Sequence, residues 1–145
     1  MQKVNQKNGL KLSLRNSSNF GLLLLGMCLM SSSHGGDVDV VNVSVESRGD
    51  RWQVNVTLKH NDKGWNHYAD AWRVVTEKGD LLATRTLHHP HEREQPFTRS
   101  LKSVPIPKGI TVVFVEGHDN VHGWSKNRVR VDLTQSKGER FEVRR

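Results

Sequence analysis

Trp52-Gln53-Val54-Asn55-Val56-Thr57-Leu58-Lys59 alternates apolar and polar side chains without a break. Successive residues of a strand point to opposite faces, so a period of two describes a half-buried strand. Trp52, Val54, Val56 and Leu58 form its core face, and Gln53, Asn55, Thr57 and Lys59 face water. Working outward, Val38, Val40, Val43 and Val45 alternate in the same way with Asp39, Asn42, Ser44 and Glu46, and the doubled Val40-Val41 predicts a bulge. Arg48-Gly49-Asp50 turns the chain between these two strands, and Asn61-Asp62-Lys63-Gly64 ends the second.

A third strand is expected over residues 67–77, with Trp72 and Val74 in the core. Lys78-Gly79-Asp80 is a hairpin turn into a fourth strand over residues 81–87. Residues 97–104 read as a fifth strand, the apolar run 110–116 as a central sixth and residues 128–133 as a seventh, with a polar loop at 117–124. No ten-residue stretch after Gly36 repeats with helical period. Seven short strands with turns every eight to twelve residues predict an all-β, single, seven-stranded antiparallel sandwich of immunoglobulin or fibronectin-III type. Its bounds are residues 37–133, after a short lead at 34–36, with 134–145 as a polar tail or edge strand.

Residues 1–33 read as a signal peptide. Lys3, Lys7, Lys11 and Arg15 precede the apolar run Phe20–Met30, and Ser31-Ser32-Ser33 supplies the small residues of a cleavage site. Eleven apolar residues are too few to span a bilayer, which needs about 20. The mature chain is therefore expected to have no transmembrane segment and to be periplasmic or secreted. Cys28 offers lipid anchoring as the alternative, although Met27 stands where Gly or Ala usually precedes a lipidated cysteine. Cleavage after Ser33 would make His34 the N-terminal residue, whose amine and ring chelate copper together.

Removing that segment removes the single cysteine and all three methionines, so any metal would be held by nitrogen and oxygen. It also lowers the formal charge from +7 to +3, because the segment carries four basic residues and no acid. So small an excess gives no case for nucleic acid.

The eight histidines are confined to a few connections. Alternating strand directions send the start of the first strand and the second–third, fourth–fifth and sixth–seventh loops to one end of a sandwich. His34, His60, His67, His88, His89, His91, His118 and His122 all map there. Imidazole suits copper and zinc, so His67, His89, His91, His118 and His122 are the candidate metal ligands. Trp65, Asp70, Glu94, Arg99, Asp119 and Trp124 are candidate ligand-binding residues around them. Loop histidines also serve simply to hydrogen-bond carbonyls, and the spacing here matches no strict metal motif. The competing function is a metal-free module that holds a protein or glycan of the cell envelope through Trp65, Trp124 and Arg99. No catalytic residue is assigned: the mature chain has no cysteine nucleophile, Gly-x-Ser-x-Gly elbow or phosphate loop, which inclines the choice away from an enzyme.

The segments His67-Tyr68-Ala69-Asp70-Ala71-Trp72, Leu87-His88-His89-Pro90-His91 with Glu94-Gln95-Pro96-Phe97-Thr98-Arg99-Ser100-Leu101, and His118-Asp119 with Val121-His122-Gly123-Trp124 resemble the signature of a family of small exported bacterial proteins. The resemblance implies export and a sandwich, and no mechanism. In architecture alone the chain is similar to periplasmic copper-binding sandwiches.

Overall fold

The computed structural model describes residues 36–145. Residues 1–33, expected above to be a signal peptide, lie outside them with Cys28 among them, as does His34. Ten strands and no helix occupy the described residues: β1 (Asp39–Arg48), β2 (Arg51–Lys59), β3 (Ala69–Thr76), β4 (Leu81–Thr86), β5 (Phe97–Val104), β6 (Val112–Asp119), β7 (Gly123–Trp124), β8 (Val129–Asp132), β9 (Lys137–Gly138) and β10 (Phe141–Arg144). They form two sheets. One has the order β5-β2-β1-β10-β9, and the other is β4-β3-β6 with β7 and β8 both paired to β6.

The alternation that opened the sequence is realised: Val54, Val56 and Leu58 are buried while Gln53, Asn55 and Thr57 are half-exposed. Each inner face contributes valines, Val43, Val45, Val54 and Val56 from one and Val74, Val113, Val115 and Val131 from the other, with fully buried Trp72 among them. The register of β1 on β2 skips Val41, which is the bulge expected at Val40-Val41. Gly79 takes φ +90° in the β3–β4 turn, a conformation open to glycine at little cost.

The strand count departs from the expected seven for two reasons. The seventh strand is interrupted: β8 pairs with Val112–Val115 of β6, β7 pairs with His118 and Asp119, and residues 125–128 separate the two pieces. The tail then folds back as β9 and β10, and β10 lies parallel to β1 with Val143 buried in the core. A second departure matters more for the site. The polar stretch at 117–124 is mostly strand, because β6 runs on to Asp119 and only residues 120–122 connect it to β7.

Candidate functional site

Two connections, the β2–β3 loop over residues 60–68 and the tight β6–β7 turn over residues 120–122, build one cluster. Asp119 ends β6 and is fully buried. Its Oδ1 accepts the N–H groups of Val121 (2.9 Å) and His122 (2.8 Å), an Asx-type turn that reverses the chain at once. Gly123 follows at φ +85°, where a side chain would be strained. The same Oδ1 lies 3.1 Å from His122 Nδ1 and 3.2 Å from His67 Nε2. Asn120 ties this turn to the β2–β3 loop, donating to Trp65 O at 2.9 Å and accepting from Tyr68 N at 2.9 Å.

His60 closes the cluster from the end of β2. Its ring stands edge-on to that of His67 at 4.7 Å between centroids, and His67 stands edge-on to His122 at 4.9 Å. One ligand atom each from His60, His67 and Asp119 all lie within 4.8 Å of one another. His60 Nδ1 is 2.6 Å from Asp62 Oδ1, and its Nε2 is 3.1 Å from the Gly36 carbonyl oxygen. Gly36 itself lies so close to the His122 ring that a β-carbon there would overlap it.

Electrostatics keep Asp119 ionised. Burial pushes its carboxyl up, but the N–H groups of His122 and Val121, with the His122 and His60 rings nearby, more than offset that, and the net shift is downward. Oδ2 of this carboxylate has no hydrogen-bond partner among the described residues. Buried carboxylate oxygens are seldom left unmatched, because desolvating them without a partner is costly.

The candidate ligands named from sequence fall into three arrangements. His67, His122 and Asp119 meet in the cluster, joined by His60, which the sequence left off the ligand set. His118 points elsewhere: it neighbours Asp119 on β6, and strand alternation turns adjacent side chains to opposite faces. On that other face its Nδ1 lies 2.5 Å from Asp70 Oδ1 and its ring stands edge-on to Trp124. Arg73 covers Trp124 at 3.9 Å and donates to Glu116, so Trp124 packs under a cation. Trp65, by contrast, is 65% exposed, with Tyr68 edge-on beside it.

His89 and His91 lie in the β4–β5 connection with ring centroids 4.6 Å apart. The buried carboxylate of Asp62 joins that connection to the cluster, accepting Ala69 N at 3.0 Å on Oδ1 and His91 N at 2.6 Å on Oδ2. Gln95 adds a second tie, accepting from His60 N at 3.0 Å and donating to His91 O at 3.1 Å. Glu94 is held by Arg99, whose two guanidinium nitrogens donate to it at 2.9 and 3.3 Å. A clue to the roles of His60 and Asp62 was their spacing of two, which lets a carboxylate reach back to a ring at a strand end.

No protein-family model matches the chain. Over 97 residues it is 43% identical to a protein of Halomicrobium mukohataei described as "Putative lipoprotein", covering 66% of this chain and 47% of that protein. The chain thus spans about half the length of the curated relative it matches. A solved superoxide reductase (1Fe-SOR) from Giardia intestinalis is 14% identical, with a TM-score of 0.40, over 66% of this chain and 99% of that one. That likeness is too low to bear on fold type or activity. No helix among the described residues is long and apolar enough to cross a membrane.

Proposed function

We propose that this is an exported binding domain that holds a divalent transition metal, copper or zinc, in the cluster of His60, His67, Asp119 and His122. The observation that carries the proposal is the convergence of two imidazoles and a carboxylate within 4.8 Å, with one buried carboxylate oxygen unmatched. Imidazole nitrogens and a carboxylate oxygen are the donors such ions take, and two histidines with one carboxylate also suit Fe(II). Asp62 has the place of an outer carboxylate that orients the His60 ring through Nδ1, and an ion at Nε2 would take the place of the contact with the Gly36 carbonyl oxygen. The basic and then apolar N-terminal segment, together with the likeness to a protein described as a lipoprotein, supports export. The immunoglobulin or fibronectin-III type is supported by strand order, β5-β2-β1 against β4-β3-β6-β8, before the C-terminal additions.

The test is calorimetric titration of the purified, chelator-stripped protein with Zn(II), Cu(II) and, without oxygen, Fe(II). Binding tighter than about micromolar, lost in Asp119→Ala, is expected. Absence of binding by all three ions at neutral pH would overturn the proposal.

One observation favours a second function. Trp65 is 65% exposed and Val121 56% exposed at the rim of the cluster, a pair of apolar side chains suited to a protein or glycan partner of the envelope. Trp65→Ala would then abolish capture of that partner without changing metal content.

A further inference from the structure

The β4–β5 connection holds a second group of histidines that the cluster does not use. His91 is 4% exposed, and its ring lies flat on Phe97 with centroids 3.9 Å apart and planes 9° apart. Its backbone is pinned at both ends, N–H to Asp62 and carbonyl to Gln95. A ring fixed this firmly would be expected to find partners for its nitrogens, yet neither Nδ1 nor Nε2 has one among the described residues. His89, which is exposed, brings its ring to 4.6 Å with a tilt of 36°. These two histidines, Pro90, Glu92, Arg93 and Glu94 line an open hollow of about 340 Å³. That volume admits a hydrated cation, since one water occupies about 30 Å³.

Each imidazole of the pair offers a nitrogen donor. Glu92 has no hydrogen bond or ion pair among the described residues, so it can supply oxygen, whereas Glu94 is tied to Arg99. Among first-row divalent ions copper binds nitrogen donors most tightly. We propose that His89 and His91 form a second metal site, separate from the Asp119 cluster, for a late first-row transition-metal cation, copper foremost.

This site stands or falls independently of the first, and copper titration of the purified full chain separates them. Cu(II) is added to chelator-stripped wild type, Asp119→Ala and His89→Gln while stoichiometry and electron paramagnetic resonance are followed. His89 is exposed, so its replacement leaves the fold in place, whereas His91→Asn removes a stacked ring and requires a melting control. Asp119→Ala should retain one copper with hyperfine coupling to two imidazole nitrogens. His89→Gln should weaken that copper by more than about tenfold and erase the coupling. If wild type and Asp119→Ala bind copper alike and His89→Gln loses it, the second site holds and the first takes no copper. If Asp119→Ala binds no copper, or His89→Gln changes neither stoichiometry nor spectrum, the second site is overturned.

Discussion

Asp62 holds the backbone of His91 at 2.6 Å through one carboxylate oxygen, across a sequence separation of 29. Its other oxygen accepts from Ala69 N and lies 2.6 Å from His60 Nδ1. A single buried carboxylate therefore fixes the β2–β3 and β4–β5 connections and orients one ring of the cluster. Replacing it with Ala leaves these donors unmatched, each at a cost of about 1–3 kcal/mol if it stays buried. Asp62→Ala should lower the unfolding free energy by about 3 kcal/mol or more, read by urea denaturation. A change below about 0.5 kcal/mol would show that water replaces the carboxylate without penalty.

Gly36 sets where His122 can sit. A β-carbon there overlaps the ring, so Gly36→Ala must displace either the ring or the Gly36 carbonyl that faces His60. Metal affinity should fall by about ten- to a hundredfold in calorimetry, the range seen when a group that orients a ligand is altered. Unchanged affinity would remove His122 and Gly36 from the site.

His118 gives the complementary control. It faces away from the cluster and pairs with Asp70, both side chains being 26% exposed. His118→Gln should leave metal affinity within about twofold, and the lost pair should cost no more than about 1 kcal/mol in denaturation. A tenfold loss of affinity would return His118 to the ligand set.

Acid stability follows from Asp132. The Thr134 hydroxyl, at 2.6 Å, and then the Thr134 N–H and Arg130 hold its carboxyl below the usual carboxylate range. A carboxyl with a depressed folded-state pKa stabilises the fold above its unfolded value of about 3.9, and that stabilisation fades as pH falls through the folded value. In metal-free protein, Thr134→Ala should melt below wild type at pH 7, and the gap should narrow once the pH drops below about 4. A gap of constant size would show that the hydroxyl acts independently of the charge on Asp132.

Periodicity carried the reading of the strands because burial on one face is a local signal. Val54, Val56 and Leu58 could be placed without knowing their partners. Pairing between distant segments leaves no such mark: β10 has four residues, and its parallel match to β1 spans about a hundred positions. The break between β7 and β8 was invisible for a similar reason, since both pieces add to the same edge of β6. At the site, topology was informative, since it sent the histidine loops toward one another. The membership of the candidate cluster needed two facts that spacing does not hold. Asp119 ends a strand, so His118 and Asp119 diverge, and His60 is turned inward by Asp62. His89 and His91 flank Pro90 in the sequence, but the stacking on Phe97 that buries only one of them is a tertiary event.

The most direct measurement is metal binding by Asp119→Asn, which keeps the shape of the side chain and removes its charge. Calorimetry with Zn(II) at pH 7 should show wild-type binding tighter than about micromolar and a loss of at least about a hundredfold in the variant. Equal affinity in both proteins, or no binding in wild type, would contradict a metal centre built on Asp119.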